Sequence, residues 1–512
     1  MARLSLKPDS SFFRKITIGA VGARAVAQDL AERGHSIAEL ERGSLDTKLW
    51  KDVKRKQVRI PDLVCTRCGV RVESRAKTKP DLSMSHSEME VSRSWDFGMV
   101  DNDLIAFPVC SATEEAYASA GQLGPESSYW HERNWVRWKS FGWVNYFTVR
   151  KFRAAPHTRS STKGVTEGSE LFRSWGATFS TRTGTVEAVQ GEKVTVARSS
   201  DGHRYTWTIR PGQTAVVAPG ETVEQTQVLA SSVSPIPSDR LSCAGELPAD
   251  HIGRLLSSRE RTQRFTGLKL ARLRGEPPHR DEALQLIKDE EEDVYVRLEG
   301  VAYLAAVCNE SVRELMLPYL RSADEQTQLE ATITLGETAT PEAVALLSEI
   351  LDDAKKEYFL RSAAAWGLSR IGSEVASERL KKAFSDVDLN IRQEALDGIV
   401  AVGGPTVRIM AEGLKSVDTD IAAGCAEALR QQERLPNQIV DELVTTLRTG
   451  RPSQWLVWLV GHLPRERVNT AIADLQDRAP ELHYAVTLIW AFVDSWVARR
   501  WELRRGPGFP EE

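Results

Sequence analysis

From residue 294 onward the chain repeats itself. A branched residue is followed four positions on by a small one and eight positions on by an aliphatic one. Val296/Gly300/Leu304, Thr327/Ala331/Leu335, Leu360/Ala364/Leu368, Ile391/Ala395/Ile399 and Ile421/Cys425/Leu429 all obey the rule. Successive starters lie 31, 33, 31 and 30 residues apart. A period of this length holds two amphipathic helices and a turn, and such units bury their apolar faces only against one another. The pattern therefore predicts an α-solenoid over residues 281–450. The small fourth residue lets stacked helices approach closely. After 450 the pattern degrades, and the stretches 455–463 and 481–503 predict a Trp-rich helical cap (451–512), with Trp490, Trp496 and Trp501 as core.

The units resemble HEAT repeats, in particular the short bacterial kind. Val296-Arg297, Leu360-Arg361 and Ile391-Arg392 match their aliphatic-Arg step, whereas Gln328 and Ala422 depart from it. The resemblance implies an array that holds a partner protein.

A chain of 512 residues exceeds what one core can serve, which suggests about three or four domains. Its 41% hydrophobic and 27% charged content is that of a globular protein. No signal-peptide run and no uncharged apolar stretch of membrane-spanning length is present, so a cytoplasmic location without membrane contact is expected. Six scattered cysteines form no disulfide framework and fit a reducing compartment. No P-loop occurs, so any ATP hydrolysis has to come from a partner such as an ATPase or helicase. Net charge is −4 overall, but +11 over residues 1–280 and −15 over residues 281–512. This asymmetry points the front half at nucleic acid and the back half at something else, or else merely helps the halves pack.

The front half is organised around RIPDLVCTRCGVRVESRAKTK, residues 59–79. It reads as two short strands joined by a tight turn. Alternate residues of a strand share a face, so Glu73, Arg75 and Lys77 project together, and a regular hairpin brings the Asp62 carboxylate to that of Glu73. Two carboxylates beside a cation suit a divalent metal and an attacking water. A charged wet face on an ordinary hairpin is the plainer reading.

The order of a helix (residues 22–33), a strand-like HSIAELE, a basic connection, PD, ten residues and an acidic-x-basic strand resembles the PD-(D/E)XK nuclease superfamily, over residues 15–110. That resemblance implies a restriction-endonuclease-like fold in which Asp62 and Glu73 bind Mg²⁺ or Mn²⁺. Lys77 or Arg75 would position water and stabilise the transition state of phosphodiester hydrolysis. Two positions depart from the pattern. Arg75 stands where the family has Lys, and Val26 where many members carry a helical Glu. Arginine stabilises charge but does not give up a proton in a protein.

Between the two strands, Cys65-Thr-Arg-Cys68-Gly69 resembles a zinc knuckle, which implies that Cys65 and Cys68 supply half of a tetrahedral Zn²⁺ site. No second CxxC follows, so the other ligands are expected from His86 or Cys110. A merely Gly-closed hairpin is the alternative.

The basic cluster of Lys48, Lys51, Lys54, Arg55, Lys56 and Arg59 precedes Asp62, where it can contact phosphates of DNA or form a solvated face. His86, Asp101 and Asp103 are accessory candidates, and Leu104–Val109 reads as a buried strand. From Tyr129 to Phe152 aromatics alternate with basic residues, which suits base stacking or an inward-packed strand. Residues 182–233 carry hairpin signals at Gln190-Gly191 and Asp201-Gly202. Their ending, PGETVEQTQVLA, resembles barrel-sandwich hybrid modules. The expected organisation is thus a multidomain α/β + β + α chain. A nuclease-like domain (1–127) precedes a small β-barrel or sandwich module (128–233), a linker with a basic helix (234–280), the array (281–450) and the cap (451–512).

The leading expectation is a metal-dependent DNA endonuclease-like component of a bacterial defence or repair complex. The alternative is a non-catalytic DNA-binding or assembly scaffold on a degenerate nuclease fold. A zinc-stabilised regulatory module without nucleic acid is a third reading.

Overall fold

The computed structural model describes residues 10–45, 60–87, 90–112, 138–161, 171–432, 434–449 and 453–488. The basic cluster from Lys48 to Arg59 and the tryptophans from Trp490 onward lie outside these residues. Contacts divide the chain into two compact units, one running to Glu282 and one from Arg297. Among the described residues no helix is long and apolar enough to cross a membrane.

The N-terminal unit begins with helix α1 (Ser10–Glu32). Strands β1 (Ile37–Glu39), β2 (Leu63–Cys65) and β3 (Arg71–Ser74) form an antiparallel meander. The chain then crosses over, contributing β4 (Leu82–His86) to another sheet, and returns as β5 (Leu104–Ala112), parallel to β3. Strand β6 (Trp138–Thr148) adds antiparallel to β5, giving the order β1-β2-β3-β5-β6. Strand alternation sorts the side chains. Val72, Leu104 and Ala106 point to one face, where Val26 and Leu30 of α1 cover them. Ile105, Phe107 and Phe147 point to the other, against Leu82, Met84, Trp95, Phe152 and Trp175. In this second core Phe152 meets Trp175 edge-on with centroids 4.8 Å apart and lies tilted against Phe147 at 5.1 Å.

The buried strand expected at 104–109 is therefore present. The expected boundary at 127/128 is not observed, because β6 belongs to the same sheet as β5. Its aromatics Tyr146 and Phe147 are core residues, 1% and 0% exposed. Strands β7 (Thr158–Ser161) and β8 (Leu171–Trp175) complete the sheet of β4, in the order β4-β8-β7.

The β-module follows. Strand β9 is Ala177–Phe179. The hairpin pattern folds as β10 (Gly184–Gln190), β11 (Lys193–Arg198) and β12 (Arg204–Thr208), joined by β13 (Thr214–Ala215), β14 (Thr222–Val223) and β15 (Val228–Ser231). They form two open sheets, β12-β11-β10-β14 and β13-β15-β9, around a core of Val186, Val194, Val196, Val223 and Leu229. No closed barrel is found among the described residues, because the two sheets contact through side chains and share no strand ladder.

Residues 234–250 are not a free linker. Leu241 is buried against α1 and the first sheet with Ile236 packed beside it, and Ile236 N–H donates to Tyr146 O at 2.7 Å. The basic stretch after them folds as two helices, α2 (Val149–Ala154) having already been used at the end of β6. They are α3 (His251–Leu256) and α4 (Arg261–Arg274).

The C-terminal unit is a stack of helix pairs. Val294–Val307 pairs with Val312–Leu320, Glu325–Leu335 with Pro341–Asp352, and Tyr358–Ile371 with Glu374–Lys382. Leu389–Val402 and Thr419–Arg430 continue the stack. Every starter of the sequence rule lies in the first helix of a pair. Helix starts are set by side-chain caps: Asp324, Thr340, Ser373 and Asp418 each accept a backbone N–H of the first turn. The aliphatic-Arg step has a structural purpose. Arg361 Nε donates to Leu351 O at 2.8 Å while its other end pairs with Asp386. Arg392 reaches Asp420 of the following unit at 3.0 Å. Gln328 keeps the carbonyl contact, donating to Ser322 O, while its amide oxygen accepts from Lys356 in place of an ion pair.

Gly336 and Gly367 show why small residues matter here. A Cβ on Gly336 would lie 2.7 Å from the Gly367 Cα, so the two backbones touch without side chains between them. Gly336→Val should lower the stability of the array by about 1–3 kcal/mol through overpacking. Urea unfolding followed by circular dichroism reads this. Val387→Ala, at a residue 88% exposed, should stay within ~0.5 kcal/mol of the parent.

Candidate functional site

The β2–β3 hairpin carries candidate groups at both ends. At the open end, the register Leu63↔Val72 sets Asp62 across from Glu73 on the face away from α1. The Asp62 carboxylate accepts the backbone N–H of Ser74 at 2.8 Å. Glu73 is buried, its side chain 8% exposed, and pairs with the Arg75 guanidinium at 3.1 Å. Arg75 also donates to Trp95 O at 3.2 Å. The alternation that sequence reading extends to Lys77 stops earlier, since β3 ends at Ser74. Lys77 bridges to Val109 and donates to the Ser83 hydroxyl at 3.1 Å, with Asp81 at 3.2 Å. Burial pushes its ammonium pKa down, against the attraction of Asp81. Its Nζ also lies 5.9 Å from the Phe107 ring centroid.

Alternation also places Arg71 on the face of Glu73. Arg71 donates to Asp103 through Nε at 2.8 Å and Nη2 at 2.5 Å, with the two side chains 3% and 4% exposed. Its Nη1 donates to Thr262 O and Thr266 Oγ1 of α4. Asp103 also accepts the N–H of Val100 at 2.8 Å. Strand β3 therefore presents Arg71 and Glu73 on one face, and Arg75, just past its end, reaches back to Glu73, which leaves a cation on each side of the acid in sequence. Among the described residues no group of three or more metal-binding side chains forms around Asp62 and Glu73. These donors do not fit a hydrated Mg²⁺. One carboxylate is engaged by a backbone amide, the other by a guanidinium in a nearly dry setting. Of the accessory candidates, Asp103 is the buried partner of Arg71, and Asp101 pairs with Arg150 and Arg153. His86 Nδ1 accepts the Trp95 N–H at 3.3 Å.

At the turn end the geometry is different. Cys65 and Cys68 meet His35 and Cys243, and the four ligand atoms all lie within 4.8 Å of one another. His86 and Cys110, the ligands expected from sequence, are not in this group; the Cys110 thiol is buried near Ile18 O. The turn is closed by Gly69 at φ +74°, whose N–H donates to Cys65 O at 2.8 Å. Amide groups of Arg67 and Cys68 point at the Cys65 sulfur, and that of Val70 at the Cys68 sulfur. The hydrogen bond from Cys68, helped by these amides, brings the Cys65 pKa down to about 4, and the shared proton pushes Cys68 up. His35 sits after the C-terminus of α1, and its Nε2–H donates to Leu241 O at 2.9 Å. A carbonyl only accepts, so the lone pair is left on Nδ1, 3.5 Å from the Cys68 sulfur. Cys243 is held by its own N–H to Arg33 O at 3.2 Å.

Sequence reading missed His35, Cys243 and Arg71. The first two have no diagnostic spacing, since His35 and the Leu241 segment are 206 residues apart. Arg71 was accessible through the same alternation that singled out Glu73 and Arg75. Arg71→Met should cost about 3–5 kcal/mol, because Asp103 is left buried without its cation. Arg71→Met with Asp103→Leu should recover a large part of that loss. A double-mutant cycle in urea measures both.

A family model described as HEAT repeats matches residues 280–359 and, overlapping them, 314–400. No curated protein matches the chain. Among solved structures, YibA of Escherichia coli is 14% identical, with 48% of this chain and 92% of that one covered at a TM-score of 0.25. Human deoxyhypusine hydroxylase in complex with glycerol is 17% identical, with 48% and 96% covered at 0.20. The CpcE–CpcF complex of phycocyanin lyase from Nostoc is 15% identical, with 42% and 94% covered at 0.21. The C-terminal region is a HEAT-repeat helical array.

Proposed function

We propose that this protein is an assembly scaffold. The HEAT array holds a partner protein, and the N-terminal unit is a nuclease-like domain whose acidic strand has become structural. The observation that carries this reading is the Glu73–Arg75 pair, 3.1 Å apart with the Glu73 side chain 8% exposed. Mg²⁺ gives up its water reluctantly and holds a catalytic site through open carboxylates. Here a guanidinium that never deprotonates already neutralises the acid. A second cation entering beside Arg71 and Arg75 would be repelled by both. Repeat arrays offer extended binding surfaces built from stacked turns, and the −15 charge of residues 281–512 suits a partner with a basic face.

One observation favours the catalytic reading. The succession of helix, antiparallel meander, crossover and parallel strand, with Asp62 across from Glu73, is the arrangement that the nuclease resemblance implies.

Cleavage of supercoiled, linear and single-stranded DNA in Mg²⁺ or Mn²⁺ separates the two. The scaffold reading expects no product from the wild type, and none from Asp62→Ala or Glu73→Ala. Metal-dependent cutting by the wild type that disappears in both variants would overturn it. Binding measured in parallel at two salt concentrations reports whether DNA is among the scaffold's partners.

A further inference from the structure

We infer that His35, Cys65, Cys68 and Cys243 hold one structural Zn²⁺ ion. The donor set is three thiols and an imidazole, one of the sets that close a tetrahedral structural site. Distances agree with a single ion. Zn–S of about 2.3 Å and Zn–N of about 2.0 Å at the tetrahedral angle put a sulfur and a nitrogen ligand about 3.5 Å apart. The Cys68 sulfur and His35 Nδ1 are 3.5 Å apart. All four donors fall within 4.8 Å, a spread that suits one ion and leaves no room for an iron–sulfur cluster between them.

The surroundings are arranged for the same purpose. The Nε2–H of His35 is held by Leu241 O, which fixes the ring and turns Nδ1 inward. Close packing above the turn adds to this: a Cβ on Gly69 would lie 2.8 Å from Leu247 and 3.1 Å from His251. Outside the four ligands, Glu246 binds Arg67 at 3.0 Å and Arg274 at 3.4 Å, and Arg274 donates to Thr66 O at 2.9 Å. The segment bearing Cys243 is thereby joined to the turn bearing Cys65 and Cys68.

The ion would tie three distant parts of the unit together: the end of α1, the β2–β3 turn and the segment before α3. Binding releases the thiol protons to solvent and changes no oxidation state. A site fully occupied by protein ligands has no position open for substrate, so its role is structural.

The full chain, purified under reducing conditions without chelator, should contain about one zinc per molecule by elemental analysis. X-ray absorption should give a first shell of three sulfurs and one nitrogen. Exchange with Co²⁺ should produce the visible bands of a tetrahedral thiolate site. Cys243→Ala should reduce zinc at least tenfold, whereas Cys243→His, which supplies another ligand type, should retain most of it. Cys308→Ala, in the array, should change nothing. Zinc below a tenth of the protein, or unchanged metal in Cys243→Ala, would overturn the inference. So would a Cys65–Cys68 disulfide in the native chain, or inorganic sulfide with visible iron–sulfur absorption. If Cys243→Ala does not fold, the absorption shell and cobalt spectrum of the wild type still decide the matter.

Discussion

Arg71 donates to both oxygens of Asp103 where β3 and β5 begin their parallel pairing, with both side chains almost fully buried. Parallel neighbours are never linked by a tight turn, so their register has to be fixed by something other than chain connection. Here a charge-assisted pair does it. The remaining donor capacity of the guanidinium is used on Thr262 and Thr266, which brings α4 onto the same spot. Leaving any of these groups unpaired in a dry interior is costly, so sheet register and helix placement are selected together.

The same pair shapes the candidate acidic site. With Arg71 committed to Asp103, the next residue on that face, Glu73, has Arg75 as its neutralising partner. The Asp62 carboxylate caps the ladder at Ser74. What a sequence motif presents as two acids beside a cation is thus, in space, part of an internal lattice of ion pairs and backbone bonds. Val26 fits this picture. It is 0% exposed in the core between α1 and the sheet, where a carboxylate could not be hydrated.

Legibility in the sequence followed the range of the interaction. The array could be read because its rule is local: one residue, four on, eight on, with a small side chain at the fourth place, as at Gly300, where a Cβ would lie 3.0 Å from Ile287. The hairpins at Gln190-Gly191 and Asp201-Gly202 were legible for the same reason, and Gly191 and Gly202 do adopt positive φ. The boundary expected after 127 failed because β6 returns to β5 across a long connection that composition does not report. Half of the cysteine site was visible as CxxCG, and the other half was not. His35 and Cys243 are brought to it by the packing of α1 and Leu241 against the sheet, and no spacing rule encodes that.

The hairpin is consequently fixed at both ends by unlike means. At its turn, the thiol–imidazole group joins it to the end of α1 and to the segment around Leu241. At its open end, Asp62 ties the two strands together through the Ser74 amide, and nearer the turn Arg71 locks β3 to β5 through Asp103 and to α4 through Thr262 and Thr266. A strand pair clamped in this way has little freedom to rearrange when a ligand arrives, and the acid on it is already compensated. That is the property of a rigid mount, on which neighbouring elements are positioned, and it agrees with a chain whose other unit is a stack of repeats bearing a large excess of negative charge.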